Sequence, residues 1–200
     1  MFDARLLPLQ RRLLHPVARW LSLRGVSADA ISLVGFAFGA AGALAAAYGA
    51  FGLALAGILA NRIGDGLDGE VARMAGATDR GAFLDIALDF VFYALVPLGF
   101  AVAAPQNALP AALLIASFVG TGSSFLAFSV IAERRGLQAQ DYPSKGIFYL
   151  GGLTEGTETI AVLIAMCLWP SAFPWLAGGY ALACTLTTLT RWYAGWTLLR

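Results

Sequence analysis

Apolar segments of roughly 20 residues, the length an α-helix needs to cross the hydrocarbon core of a bilayer, follow one another along most of this 200-residue chain. They fall at about 30–51, 52–64, 81–104, 108–131, 145–169 and 172–199. The second runs on into a polar stretch, Pro105 ends the third, and Glu133, Arg134 and Arg135 follow the fourth. Hydrophobic residues make up 59% of the chain and charged residues 12%, about half the charge density that keeps a soluble domain's surface wet. Cys167 and Cys184 lie inside apolar runs and fit neither a disulfide framework nor a metal-binding spacing. Polar low-complexity tracts are absent, which excludes disorder, and a net charge of +1 gives no reason to expect nucleic acid. The expected fold class is an all-α integral membrane protein with six transmembrane helices.

The turns at 49–52, 104–110 and 169–174 carry no charge, whereas Arg73, Arg80, Arg134, Arg135 and Lys145 fall in the alternate turns and Arg5, Arg11, Arg12, Arg19, Arg24 and Arg200 near the ends. The bias of Lys and Arg toward short cytoplasmic loops puts both termini inside. Residues 1–26 form a separate unit, in which leucines and Val17 alternate with arginines and His15. That pattern predicts an amphipathic segment lying in the membrane interface, with Pro8 and Pro16 dividing it into two short pieces. It lacks the continuous apolar region of a cleaved signal peptide. His15, the only histidine, reads as an interfacial polar residue more readily than as a catalyst. Residues 27–200 form the transmembrane domain, and Ser27 or Asp29 caps its first helix.

Ionisable residues within or beside membrane spans mark function by default, and here they concentrate in NRIGDGLDGEVARMAGATDRGAFLDIALDF, beginning at Asn61. Asp65 and Asp68 are three apart, and Asp85 and Asp89 four apart, so each pair occupies one face of its helix. A turn near 75–80 folds the second helix back on the first and brings the four carboxylates together. They repel unless a cation sits among them, and hard divalent ions such as Mg²⁺ take oxygen ligands together with substrate phosphates. One or two such ions suit a phosphoryl displacement. Gly66 and Gly69 leave room for a ligand beside the backbone, and Arg73 is available to a phosphate. A merely solvated loop has no need to place its carboxylates on single helical faces.

In order, Asp65, Asp68, Gly69, Ala72, Arg73, Gly81, Asp85 and Asp89 read D-x-x-D-G-x-x-A-R and then G-x-x-x-D-x-x-x-D. This pattern resembles the signature of the CDP-alcohol phosphotransferases, also called CDP-alcohol phosphatidyltransferases. Thr78 stands where that family often has a small hydroxyl residue, and seven residues separate Arg73 from Gly81 where many members have eight. The resemblance implies a divalent-metal-dependent enzyme of phospholipid synthesis. It moves a phosphatidyl group from CDP-diacylglycerol to a small polar alcohol, releasing CMP. By the same resemblance Asp65, Asp68, Asp85 and Asp89 hold one or two Mg²⁺ or Mn²⁺ ions, and Asp89 also takes the proton of the attacking hydroxyl. Asp65, Gly69, Ala72, Arg73, Thr78 and Gly81 bind the donor nucleotide. The site opens to membrane lipid and the cytoplasm at the bacterial inner membrane, and the protein forms a homodimer as relatives do.

The acceptor must be read outside the signature. Arg134, Arg135, Lys145 and Arg191 would suit a phosphorylated alcohol. Glu155 and Glu158, three apart near Tyr149 and expected on one helical face, would suit hydroxyls or an amine, or would pair internally with Arg191. The small residues of GFAFGAAGALAAAYGAFG serve close helix packing, and Trp169, Trp175, Trp192 and Trp196 fall near span ends, where indoles favour the interface. The alternative reading is a small cation channel or transporter with the carboxylates as its ion site. Against it, the acids gather at one membrane side and the opposite turns are uncharged. A scaffold that had lost catalysis would have lost some of the four aspartates.

Overall fold

The computed structural model describes residues 3–136 and 153–199, which are helical apart from short connections. Lys145 and Tyr149 lie outside the described residues. The α-helices are α1 (Asp3–Leu23), α2 (Ala28–Ala47), α3 (Phe51–Ala75), α4 (Asp79–Ala103), α5 (Ala108–Arg134), α6 (Gly156–Leu168) and α7 (Phe173–Leu198). Single 3₁₀ turns that begin at Pro105 and Pro170 lead into α5 and α7.

Local chemistry sets the boundaries around the future site. Ser27 rather than Asp29 caps α2, its hydroxyl accepting from the Ala30 amide at 3.3 Å. The second apolar segment does not stop at Gly64, because α3 continues for three more turns to Ala75. Gly76 then takes a left-handed φ of +98°, which a residue with a side chain rarely adopts. Thr78 caps α4 by accepting from the Gly81 amide at 3.1 Å. The α3–α4 turn is therefore only three residues long, at 76–78, and the two helices run antiparallel.

The expected break of the N-terminal segment into two pieces is not found, since α1 runs continuously through Pro8 and Pro16. Packing explains its persistence. Ala18 is fully buried with Ile31 and Val71, and Leu21, Val26 and Leu67 close around them. Helices in proteins owe most of their stability to such burial, which here offsets the hydrogen bonds the prolines remove.

Small residues let α2 sit directly on its neighbours. A Cβ added at Gly57 of α3 would fall 2.6 Å from the Gly42 Cα, and one at Gly99 of α4 would fall 2.3 Å from the Ala43 carbonyl oxygen. The small-residue run thus has the packing role expected of it. Phe92, Val96, Phe100, Leu114, Leu163, Met166 and Phe173 fill the centre of the bundle. Phe100 stacks between Phe51 and Phe173, with centroids 5.1 and 4.6 Å apart. The outer face is apolar instead of polar: Leu33, Val34, Phe38, Val102, Leu109 and Val119 are all at least half exposed, and so are the four tryptophans near helix ends. A surface of that kind is matched to lipid.

Among the described residues, α2, α4 and the stretch Pro105–Arg134 are each long and apolar enough to cross a membrane. The pair α6 and α7, bent by 117° at its break, raises that number to four when counted as one span. The chain is an all-helical integral membrane protein, with fewer such helices than the six crossings expected. Helix α3 falls short because Asn61, Arg62, Asp65 and Asp68 interrupt its apolar character, and α6 is described only from Gly156.

Candidate active site

The unbroken length of α3 and the tight turn after it put the two aspartate pairs opposite one another. Carboxylate oxygens of Asp65, Asp68 and Asp85 lie within 4.8 Å of each other. Asp68 is buried, and its Oδ2 accepts a hydrogen bond from the Ser32 hydroxyl of α2 at 2.6 Å. Asp89, one turn beyond Asp85, faces Arg62 instead, with Nη2 at 2.5 Å from Oδ1. Arg62 Nη1 lies 3.5 Å from Asp65 Oδ2, and Tyr93 donates to Asp89 Oδ2 at 3.5 Å.

Arg62 is held from behind. Its Nε and Nη2 donate to Asn61 Oδ1 at 2.9 and 2.6 Å, while Asn61 Nδ2 donates to the Gly35 carbonyl at 3.1 Å. The guanidinium also lies over the Phe92 ring, 5.0 Å from its centroid. Among the described residues, the recess therefore holds one guanidinium against four carboxylates. That imbalance leaves net negative charge in a partly desolvated place, where a further cation is strongly favoured.

The donor set fits a hard divalent ion. Every candidate ligand is a carboxylate oxygen, the chemistry Mg²⁺ and Mn²⁺ prefer. Beside them is a recess of about 20 Å³ lined by Ser32, Asn61, Arg62 and all four aspartates, space for one water or ion. The recess adjoins a cleft of about 460 Å³ bordered by Gln10 and Arg11 of α1, by Gly66, Gly69 and Arg73 of α3, and by Gly156, Thr157 and Ile160 of α6. A Cβ at Gly69 would meet only the flexible end of Arg73, at 3.5 Å, so this glycine keeps the backbone open to a ligand. Gly66 has a different job. A Cβ there would lie 2.3 Å from Gln10 Nε2 and 2.5 Å from Leu14, so the side-chain ends of α1 fill the space that this glycine leaves.

The CDP-alcohol phosphatidyltransferase family model matches residues 25–195, a span that includes the whole aspartate constellation. The chain belongs to that family. It is 48% identical over 201 residues to the inner membrane protein YnjF of Escherichia coli (strain K12), covering all of this chain and 98% of that one. Its fold resembles Mycobacterium tuberculosis phosphatidylinositol phosphate synthase PgsA1 with CDP-DAG bound, at a TM-score of 0.71 and 24% identity, over 93% of this chain and 94% of that chain. The same enzyme in complex with manganese and citrate superposes at a TM-score of 0.69 and 23% identity, over 92% and 89% of the two chains.

Within this family member the signature residues divide into two groups. The aspartates, Gly69 and Arg73 border the cleft. Ala72, Thr78 and Gly81 sit at the α3–α4 turn, outside the lining of that cleft, with Thr78 and Gly81 engaged in the helix cap. The acceptor candidates are also rearranged. Glu155 is the N-cap of α6 and not a helical residue, so it does not share a helical face with Glu158. The two form a capping box, in which Glu158 Oε2 accepts from the Glu155 amide at 3.2 Å. Arg134 ends α5 and is exposed. Arg191 is buried on α7, donating from Nη1 to the Thr121 carbonyl at 3.0 Å, with its guanidinium 5.6 Å from the Phe125 centroid.

Sequence reasoning overlooked Arg62, Asn61, Ser32, Tyr93 and Glu70. Arg62 carried a usable signal, since an arginine inside an otherwise apolar segment needs a partner. Ser32 and Tyr93 carried none, because a single hydroxyl in an apolar helix has many ordinary uses.

Proposed function

We propose that this chain transfers a phosphatidyl group from CDP-diacylglycerol to a small polar alcohol at the bacterial inner membrane. The observation that carries this reading is the convergence of Asp65, Asp68 and Asp85 within 4.8 Å, beside a cleft large enough for a nucleotide. The names of the relatives support it, one being an inner membrane protein and another holding CDP-DAG.

Asp65, Asp68, Asp85 and Asp89 would hold one or two Mg²⁺ or Mn²⁺ ions, which would supply Lewis-acid stabilisation of the diphosphate and of the CMP leaving group. Gly69 and Arg73, with Ala72, Thr78 and Gly81 at the neighbouring turn, bind the nucleotide side of the donor. Asp89 accepts the proton of the acceptor hydroxyl. The acceptor oxygen forms its bond to the phosphorus bearing the diacylglycerol, the bond from that phosphorus to the CMP oxygen breaks, and CMP departs as an anion. Arg62 holds Asp89 in place at the recess. In this reading helices α2–α7 each cross the membrane once, α1 lies in the cytoplasmic interface, both termini and the site face the cytoplasm, and two copies associate.

The acceptor is a phosphorylated polyol, met by Arg134, Lys145 and Arg191. The capping role of Glu155 and Glu158 supports this choice, because it engages carboxylates that would otherwise suit an unphosphorylated alcohol or amine. The test is purified protein with CDP-diacylglycerol and Mn²⁺ or Mg²⁺, offered glycerol 3-phosphate, inositol phosphate, inositol, serine and choline in turn. Metal-dependent CMP release with a phosphorylated acceptor is expected. Turnover of unphosphorylated alcohols alone, unaffected by Arg191→Ala, would make the acceptor class wrong. Ion flux through liposomes with no CMP chemistry would make the transferase reading wrong.

A further inference from the structure

We propose that α1 is a working part of the active site, supplying Arg11 as a phosphate-binding residue, and that Glu70 is the positioning residue that sets it there. The inference rests on the transferase reading above. Glu70 is buried, with 8% of its side chain exposed, and it occupies a variable position of the signature between Gly69 and Ala72. Its carboxylate faces two arginines and a histidine from two helices. Arg73 Nη2 of α3 donates to Oε1 at 2.7 Å, and from α1 Arg11 Nε lies 4.0 Å from Oε1 and His15 Nδ1 3.7 Å from Oε2. A buried carboxylate in that setting ties α1 to the end of α3 that carries the site. At Gly66 the side-chain ends of Gln10 and Leu14 also pack against α3, 2.3 and 2.5 Å from where a Cβ would stand.

Held in this way, Arg11 borders the cleft together with Arg73 and the aspartates. It is not satisfied by Glu70. At 4.0 Å its Nε is beyond hydrogen-bond reach, the nearer carboxylate oxygen already accepts from Arg73, and Nε is buried without a hydrogen-bond partner among the described residues. A buried donor of that kind costs stability unless a partner arrives, and a planar guanidinium at the edge of a cleft matches a phosphate. Arg11 and Arg73 share Glu70, so both guanidinium groups reach the same part of the cleft. That neighbourhood places the diphosphate of the donor first among phosphate sources, with a phosphorylated acceptor second.

The test uses full-length protein in detergent, with CDP plus Mn²⁺ as the probe and Mn²⁺ alone as the control. Arg11→Ala is expected to weaken CDP binding about tenfold while leaving Mn²⁺ affinity within about twofold, and Arg11→Lys to recover part of the loss. Glu70→Gln should weaken CDP binding at least as much and raise KM for the donor more than it lowers kcat, because it releases both arginines. If CDP binding holds in Arg11→Ala while KM for a phosphorylated acceptor rises about tenfold, the phosphate is the acceptor's and the assignment of Arg11 stands. Unchanged CDP binding together with an unchanged acceptor KM would overturn it, as would an equal loss of Mn²⁺ affinity, which would mean general damage. Wild-type protein that binds no CDP at all would remove the transferase reading and this inference with it.

Discussion

Arg62 is the cation that lies among the aspartates, and if they hold a divalent ion as proposed, replacing it should have two effects of opposite sign. Its guanidinium is 2.5 Å from Asp89 and 3.5 Å from Asp65, so it sits beside any ion shared by Asp65, Asp68 and Asp85. In general, a guanidinium and a divalent ion roughly 6 Å apart at an effective dielectric of about 20 repel by about 5.5 kcal/mol. Water in the open cleft screens part of that, leaving about 1.4–3 kcal/mol, or roughly ten- to a hundredfold in affinity. Arg62→Gln should therefore bind Mn²⁺ about ten- to a hundredfold more tightly than wild type. Turnover should nonetheless fall by about a hundredfold or more, because Asp89 loses the group that orients it. Without metal the variant should also be less stable by about 2–4 kcal/mol, since a partly buried carboxylate loses its partner, and added Mn²⁺ should restore much of this.

Titration of purified protein with Mn²⁺, followed by calorimetry or by the loss of the free-ion paramagnetic resonance signal, reads the affinity directly. Arg62→Lys keeps the charge and should stay within about threefold of wild type, which separates charge from shape. If Arg62→Gln remains folded and binds Mn²⁺ no more tightly than wild type, then Arg62 and the ion do not share a field. The electrostatic account of the site would then be wrong.

Asp89→Asn should lower metal-dependent CMP release by at least about a thousandfold while the protein still elutes as a folded species, because the amide keeps the shape but accepts no proton. Ser32→Ala removes the 2.6 Å hydrogen bond that orients Asp68 and should weaken Mn²⁺ binding about tenfold in the same titration, with kcat at saturating metal nearly unchanged. Gly57→Leu drives a side chain into the Gly42 backbone, where even a Cβ would lie 2.6 Å away. It should lower the melting temperature in detergent by several degrees or prevent recovery of folded protein.

The sequence disclosed the parts of this molecule that repeat or that obey a fixed spacing. Apolar length announced the helices, and the three- and four-residue separations of the aspartates placed each pair on one face. Once Gly76 and Thr78 ended and restarted the helix, convergence of the two pairs followed. What stayed hidden depended on partners far apart in the chain. Ser32 and Asp68 are 36 positions apart, and Arg62 and Asp89 are 27 apart; no local pattern distinguishes them from other polar residues in apolar helices. The Glu155–Glu158 spacing misled for a related reason. Three-residue separation fits one helical face, but it is equally the spacing of a capping box, and only the start of α6 at Gly156 decides between them.

The residues that were hidden share one physical task, and it explains why a motif alone underdescribes such a site. Four carboxylates are tolerable in a partly buried place only if their charge is answered both when a metal is bound and when it is not. With metal, the ion answers it. Without metal, Arg62 pairs with Asp89 and Asp65 and Ser32 donates to Asp68, while Arg73 pairs with Glu70 at 2.7 Å. These supports need only be polar, near and held, so their identity is set by which backbone position comes close. Carboxylates that share an ion must instead meet it in fixed register, which is what ties them to a spacing. The signature therefore records the carboxylates, and the fold is needed to find what answers their charge.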